Sequence, residues 1–278
     1  MKKILVTGKN SYIGNKLKNW LGKYPEKYNI ETISLRDDGW KSKSFANYDV
    51  VFHAAGMAHV KETRNNNDLY FSVNRDLAYE VAKKAKNEGV GQFIFLSSMS
   101  VYGIENGVID NNTHIEPNTA YGQSKIQAES LINKLQNNGF QVVTLRPPMV
   151  YGEGCKGNYP KLSKMAVKFP VFPNIENKRS MIFIDNLSAF IQELIDNQSK
   201  GLYFPQNEEY VNVSKMVRLI SEVHGKPIIL TKLFNPLLRL LKTSTMNKVF
   251  GSLIYDKNIS NSIDQVSFSE TIKRTENK

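Results

Sequence analysis

The sequence predicts an α/β fold, a doubly wound parallel sheet followed by a smaller C-terminal lobe, on three observations. Short apolar runs alternate with stretches of helical periodicity as far as Tyr151; the first run breaks at a small-residue turn, Thr7-Gly8-Lys9-Asn10-Ser11-Tyr12-Ile13-Gly14; and beyond Tyr151 the alternation loosens. Repeated strand-then-helix order is satisfied by parallel strands joined through right-handed crossovers, because a right-twisted strand feeding a right-handed helix packs back onto its sheet only that way. Residues 1–151 are expected to form the sheet domain and 152–278 mainly the second lobe, with part of 180–197 returning to the first.

Residues 4–7 form the first strand, and a helix follows over about 12–23, where Ile13, Leu17, Trp20 and Leu21 recur at helical spacing. The second strand covers 30–35. The third, Tyr48-Asp49-Val50-Val51-Phe52-His53, is apolar enough to be buried on both faces, as strands of a helix-covered parallel sheet are. A helix over about 69–88 leads into a strand at 92–96. Asn118 and Thr119 offer caps to a helix running to about 137, and the strand at 140–145 stops at Pro147-Pro148, since proline cannot donate to a ladder. A loop rich in Gly, Pro, Lys and Asn then runs to Arg179, followed by a short strand and helix over 181–197. The stretch 236–255 is amphipathic, with Leu237, Leu238, Leu240, Leu241, Val249, Phe250, Leu253 and Ile254 set among Lys and Arg, and is expected to pack on a core or cap a ligand cleft. There is no internal repeat and no low-complexity linker, so the second lobe is expected to pack directly on the first.

At 278 residues the chain can bury a sizeable core without disulfides or metal, and its single cysteine, Cys155, has no internal partner. Lys and Arg (37) exceed Asp and Glu (26), for a net charge of +11. These cations are scattered over helix surfaces such as Val81-Ala82-Lys83-Lys84-Ala85-Lys86-Asn87, with no run of five or more, which argues against nucleic acid as a partner. No apolar stretch reaches the ~18 residues of a membrane helix, and no charged-then-apolar leader precedes the first strand. No membrane insertion and a cytoplasmic location are therefore expected.

Small residues in the first turn let a dinucleotide pyrophosphate approach the backbone amides at a helix N-terminus, where unpaired N–H groups and the helix dipole favour an anion. Gly8 and Gly14 supply two such positions, and Ser11 takes the middle place of a Thr-Gly-x-x-Gly-x-x-Gly pattern; Asn10, Tyr12 and Ile13 complete the expected cofactor turn. The second strand ends Ser34-Leu35-Arg36-Asp37. A basic residue there accommodates a 2′-phosphate and an acidic one holds the ribose, so Arg36 tilts the expectation toward NADP(H) while Asp37 keeps NAD(H) open.

Ser97-Ser98-Met99-Ser100-Val101-Tyr102-Gly103 follows the strand ending at Leu96, so its hydroxyls emerge at the carboxyl edge of the sheet, where open α/β sheets bind ligands. Tyr121 begins the next helix at that edge. Lys125, four residues on, shares its helix face, which can bring an ammonium beside the phenol and favour its ionised form. An unperturbed phenol titrates near pH ~10 and is a poor base at neutrality.

Taken in order, Thr7 to Gly14, His53-Ala54-Ala55-Gly56, Asn74, Ser98 before Val101-Tyr102-Gly103, Tyr121 with Lys125, Arg146-Pro147-Pro148, and Arg179 ahead of Phe183-Ile184-Asp185-Asn186-Leu187 resemble the extended short-chain dehydrogenase/reductase family, in the branch that modifies nucleotide sugars. The resemblance covers most of the chain. It implies a Rossmann-type NAD(P)-binding domain and a substrate-binding C-terminal lobe. Tyr121 would be the acid/base, Lys125 the group that lowers its pKa and holds the nicotinamide ribose, and Ser98 a donor to the reacting oxygen. Ala54, Ala55, Gly56, Asn74 and Pro147 would lie on the cofactor side. Arg179 would meet the pyrophosphate of a UDP-sugar, a task suited to a planar multi-donor cation. Asn158, Tyr159 and Lys161 are further substrate-side candidates, and His59 is either a sugar contact or a structural histidine. A homodimer is compatible with such a chain.

Three reactions are common in this branch: 4,6-dehydration, C4 epimerisation and reduction of a 4-keto sugar. The resembled dehydratases place an Asp-Glu pair after the catalytic hydroxyl residue, because removing water needs an extra acid and base. Met99 and Ser100 stand there, which disfavours dehydration. The expected activity is reduction of a UDP-4-keto-6-deoxy-N-acetylhexosamine, with C4 epimerisation of a UDP-hexose or UDP-N-acetylhexosamine as the alternative. A non-catalytic NADP-binding module on the same fold is the remote third reading.

Overall fold

A computed structural model describes residues 1–58, 60–233, 235–236, 247, 249–263 and 265–277. His59 and most of the amphipathic stretch, including Leu237, Leu238, Leu240 and Leu241, lie outside the described residues. The chain divides into two compact units. Unit 1 comprises Met1–Gly103, His114–Pro147 and Leu187–Pro205; unit 2 comprises Ile104–Thr113, Pro148–Asn186 and Gln206–Lys278. Compared with the sequence boundary at 151, residues 104–113 join the second unit and the returning segment extends from 187 to 205.

Unit 1 is built on six parallel strands: β1 (Lys2–Thr7), β2 (Tyr28–Ile33), β3 (Val50–His53), β4 (Gln92–Leu96), β5 (Gln141–Leu145) and β6 (Gly201–Tyr203), in the order β6-β5-β4-β3-β1-β2. The fold class read from the sequence is this one. From β1 the chain turns outward to β2, then crosses to β3 on the other side, which opens a switch point at the carboxyl ends of β1 and β3. Register fixes what stands there. Thr7 pairs with His53, His53 with Phe95, and Phe95 with Thr144, so the segments that follow them leave the sheet along one edge.

Helices α1 (Tyr12–Leu21), α2 (Asn67–Phe71), α3 (Leu77–Asn87) and α4 (Ala120–Asn133) belong to this unit. In α3 the buried residues Ala78, Val81, Ala82 and Ala85 recur at i, i+3, i+4 and i+7. They pack with Leu5, Val51, Phe93 and Val142 of the strands and with Ala128 and Ile132 of α4 in one core cluster. Small α3 residues let a helix approach a sheet face filled by larger side chains.

Several boundaries differ from the periodicity reading. The second strand runs Tyr28–Ile33 rather than 30–35, because the ladder opens at Lys2↔Tyr28 and closes when the amides of Gly8 and Lys9 both donate to the Ile33 carbonyl. The helix expected over 69–88 is interrupted by a π turn, Ser72–Asp76, that carries Asn74 inward. The tyrosine helix ends at Asn133 rather than near 137.

Among the described residues, unit 2 holds paired short parallel strands, Gly107–Ile109 with Leu253–Tyr255 and Met149–Tyr151 with Met181–Phe183, and the helices Tyr159–Lys168, Val213–Val223 and Phe268–Glu276. The first lies in the stretch read as loop, where Tyr159, Leu162 and Ala166 form a short buried stripe. The second buries Val213, Met216, Val217 and Ile220 behind an Asn212 cap, a full helical signature that the loosened alternation masked. No helix among the described residues is long and apolar enough to cross a membrane.

Candidate active site

The turn after β1 is set by close approach. Gly8 adopts φ +85°, and a Cβ there would sit 2.9 Å from the Ala55 Cα. A Cβ on Gly14 would already meet Val6 Cγ1 at 3.0 Å and Ala54 Cβ at 3.3 Å, so glycine lets α1 lie against the sheet. Ser11, in the middle position, caps α1: its Oγ accepts from the Gly14 amide at 3.2 Å and its carbonyl from Asn15. Tyr12 and Ile13 occupy the first two helical positions beyond that cap. Asn10 is exposed. At the end of β2, Arg36 and Asp37 are both exposed, and Asp37 Oδ1 accepts from the Gly39 amide at 3.0 Å, which commits one of its oxygens to the local turn.

Across the switch point, Gly56, Asn74 and Lys125 converge. A Cβ on Gly56 would stand 3.1 Å from Asn74 Oδ1 and 3.4 Å from Lys125 Nζ. The sequence reading put Asn74 on the cofactor side; the structure buries it completely and spends its amide on protein. Its Oδ1 accepts from the Met57 amide at 2.7 Å, and its Nδ2 donates to the Met57 carbonyl and to Ser124 Oγ. Ser124 in turn donates to the Tyr121 carbonyl at 2.8 Å. Asn74 therefore braces the segment after β3 against α4, a task that explains why a π turn aims it inward.

Ser98 caps the short 3₁₀ turn Met99–Tyr102, accepting from the Ser100 amide at 3.1 Å, and its hydroxyl also hydrogen-bonds with Tyr121. The Tyr121 ring meets that of Tyr70 edge to face, with centroids 6.3 Å apart. Pro147 acts through its backbone, its carbonyl accepting from the Met99 amide at 3.0 Å. Lys125 Nζ donates to the Leu96 carbonyl at 2.7 Å and lies 4.8 Å from the Phe95 ring centroid.

These surroundings reverse one expectation. The helix-face argument has Lys125 acidifying Tyr121, but the phenol pKa is raised: burial is the largest cause, Tyr70 adds to it, and the Ser98 hydrogen bond opposes it. Lys125 itself is lowered to about 8 by burial, with Glu129 opposing. Four residues of spacing place both groups on one face, but the ammonium settles on a strand-end carbonyl, and desolvation then favours the neutral form of each.

Beneath them lies a constellation that the sequence reading did not assign. Glu129 continues the Tyr121–Lys125 stripe by one more turn and forms a buried ion pair with Arg146, with Nη2 to Oε2 at 2.6 Å. Ser97 Oγ also donates to Glu129, and Arg146 Nη1 donates to Tyr102 Oη at 2.8 Å. The i, i+4, i+8 spacing was available as a signal for Glu129. For Glu62, whose carboxylate meets the amides of Ala120 and Tyr121, there was none, since it lies in a loop remote in sequence.

In unit 2, Arg179 donates from Nη1 to the carbonyls of Gly251 (2.9 Å) and Asn247 (3.2 Å), while burial lowers its pKa against the opposing charge of Glu105. Asn158 stands half-buried ahead of the helix Tyr159–Lys168, and Lys161 is exposed. Tyr159 is not a surface group. It is 3 % exposed, stacks on Tyr151, and donates its hydroxyl to Glu276 at 2.7 Å, so the residue proposed for substrate contact is part of the unit 2 core.

The profile of the NAD dependent epimerase/dehydratase family matches residues 4–203. The chain is similar to a UDP-glucose 4-epimerase of Vibrio cholerae, 31% identical over 253 residues that cover 81% of this chain and 77% of that one. Its fold is similar to those of a UDP-glucuronic acid 4-epimerase from Bacillus cereus in complex with NAD (TM-score 0.76, 18% identity, 99% of this chain and 97% of that one) and a dTDP-4-dehydrorhamnose reductase from Bacillus anthracis in complex with NADP (TM-score 0.74, 18% identity, 99% and 98%). With a matched segment that reaches all six strands of the sheet and includes Tyr121 and Lys125, the chain belongs to the NAD dependent epimerase/dehydratase family.

Proposed function

We propose that this protein is an NAD(P)H-dependent reductase of the C4 ketone of a UDP-4-keto-6-deoxy-N-acetylhexosamine. The observation that carries the reading is the placement of Tyr121 beside Ser98 after the fourth strand, with Lys125 one helix turn on. Burial holds the phenol neutral, with Ser98 hydrogen-bonded to it. Reduction of a ketone ends with an alkoxide oxygen that must take a proton, and a neutral phenol at that oxygen is the acid the step needs.

The residues of unit 1 fit a nicotinamide dinucleotide. The Gly8–Ala55 approach leaves backbone rather than side chain at the turn, and the first turn of α1 presents a helix N-terminus for a pyrophosphate. Arg36 stands exposed at the end of β2, where a 2′-phosphate would find a cation, which supports NADP(H) over NAD(H). When bound, the cofactor supplies the hydride. Ser98 donates a hydrogen bond to the substrate oxygen, Tyr121 delivers the proton, and Lys125 holds the cofactor ribose. In unit 2, Arg179 is a desolvated guanidinium resting on carbonyl oxygens, with the charge of Glu105 opposing that desolvation, and a diphosphate would add further opposite charge. Unit 1 is thus assigned to the cofactor and unit 2 to the nucleotide sugar.

A second reading is C4 epimerisation, favoured by the similarity to the Vibrio cholerae enzyme and served by the same Ser98, Tyr121 and Lys125. One assay separates them. UDP-4-keto-6-deoxy-N-acetylglucosamine is offered with NADPH or NADH, and UDP-glucose and UDP-N-acetylglucosamine without added cofactor. Stoichiometric oxidation of the reduced cofactor is the expected result; interconversion of C4 epimers without net oxidation would replace the reductase reading with the epimerase one.

A further inference from the structure

We propose that Glu62 is a positioning residue of the Tyr121 site: its carboxylate fastens the loop residues 60–63 to the first turn of the catalytic helix and thereby fixes the backbone on which Tyr121 is carried. The inference rests on the assignment of Tyr121 as the proton donor.

The partners of the first-turn amides of α4 support it. Four N–H groups at a helix start have no intrahelical acceptor. In α4 the Gly122 amide donates to Thr119 Oγ1 at 3.1 Å, and the first intrahelical bond runs from the Gln123 amide to the Thr119 carbonyl at 2.9 Å. The amides of the first two helical residues, Ala120 and Tyr121, donate to Glu62 Oε2 at 3.1 Å and Oε1 at 3.0 Å. One carboxylate thus spans both, at the end of the helix where a negative charge is favoured. A local cap would have sufficed for helix stability. This one comes from a different segment.

That segment and Met57 before it are tied to the same helix by two further routes. Asn74 clasps the Met57 backbone and reaches the Tyr121 carbonyl through Ser124. Tyr70 donates its hydroxyl to the Val60 carbonyl at 2.8 Å while its ring abuts that of Tyr121. Met57, Val60 and Glu62 are thereby referred to the Tyr121 backbone and ring. Tyr121 is the second residue of its helix, in the turn most given to fraying. Its hydrogen bond with Ser98 depends on that turn being held, and Glu62 holds it.

The experiment compares wild type, Glu62→Ala and Glu62→Gln in the full chain by tryptic cleavage after the exposed Lys61, thermal melting, and steady-state turnover of the 4-keto substrate with NADPH. Glu62→Ala is expected to be cut several-fold faster at Lys61 with an unchanged melting temperature. Its kcat is expected to fall roughly 10- to 100-fold, as for a misplaced reacting group, with little change in KM. Glu62→Gln keeps an acceptor oxygen and is expected to recover most of both. Equal cleavage rates in wild type and Glu62→Ala, or a kcat loss that Gln does not restore and that tracks a lower melting temperature, overturn the proposal. If wild type turns over no nucleotide sugar, the reductase reading fails, and the cleavage comparison alone decides on the fastening: faster cutting of Glu62→Ala supports it and equal cutting ends it.

Discussion

Tyr121 keeps its proton because burial costs a phenolate more than one hydroxyl returns. The Ser98 hydrogen bond favours ionisation, yet desolvation and the neighbouring Tyr70 outweigh it. On the proposed mechanism, removing the phenol oxygen removes the acid but little packing, so Tyr121→Phe is expected to retain its fold and to lose about 10²- to 10⁴-fold in kcat, the usual worth of a positioned acid. Undiminished turnover in steady-state assays would sink the mechanism. Arg36 makes a separate claim. If its guanidinium meets a 2′-phosphate, Arg36→Ala should raise the KM for NADPH roughly tenfold or more, on the about 1.5–3 kcal/mol of a hydrogen bond to a charged group, and leave that for NADH nearly unchanged. Parallel titrations with the two cofactors would show it. Sequence alone named both residues, because each sits at a strand end or helix start whose placement in a parallel sheet is fixed by the order of elements. It could not set the sign of the Tyr121 shift, which depends on where Lys125 Nζ comes to rest.

Helix α4 carries the site as a stripe of three ionisable groups, Tyr121, Lys125 and Glu129, one turn apart. Its two ends are held differently. Glu62 and Thr119 satisfy the N-terminal amides, and deeper along the helix the Glu129–Arg146 pair is 4 % and 5 % exposed at its side chains, with Ser97 and Tyr102 completing its hydrogen bonds. Glu129→Gln leaves the guanidinium buried without its counter-charge, and a loss of about 3–5 kcal/mol in unfolding free energy is expected by urea titration. The same change removes the charge that opposes the lowering of Lys125, so the Lys125 pKa should fall below about 8, readable by the pH dependence of its chemical modification. Gly122 marks how tightly the helix is seated: a Cβ there would lie 2.7 Å from the Ser100 carbonyl oxygen and 2.9 Å from Pro117 Cβ. The helix was legible from its caps and periodicity. The π turn before α3 was not, because its cause is Asn74 reaching for a loop that no local pattern mentions.

At the scale of the molecule, the buried bases His53 and Lys125 give the chain a dependence of stability on pH. His53 is fully buried, stacked near Phe93 and Phe95, with Nδ1 3.0 Å from Thr7 Oγ1; burial, with Lys125 adding, pushes its pKa down to about 3. Lys125 is lowered to about 8. Both are bases depressed by folding, so the unfolded chain binds more protons and stability rises with pH through each window. The His53 contribution is therefore complete above its ordinary pKa near 6.5 and is lost as pH falls toward about 3, at about 1.4 kcal/mol per pH unit. Lys125 adds a rise between about 8 and its ordinary value of 10.5. Denaturant titrations across pH should show the acid limb, and His53→Gln, which keeps an acceptor for Thr7 without titrating, should flatten it.

The sequence by itself determined the sheet, the order in which its edge receives the glycine turn, Ser98 and Tyr121, and the shared helix face of Tyr121 and Lys125, because strand and helix periods are local properties of the chain. Only the tertiary structure decided that Asn74 and Tyr159 face inward, that Lys125 rests on the Leu96 carbonyl, and that Glu62 closes the first turn of α4. Those outcomes follow from desolvation and from hydrogen bonds between segments distant in the chain, and neither quantity exists until the segments meet.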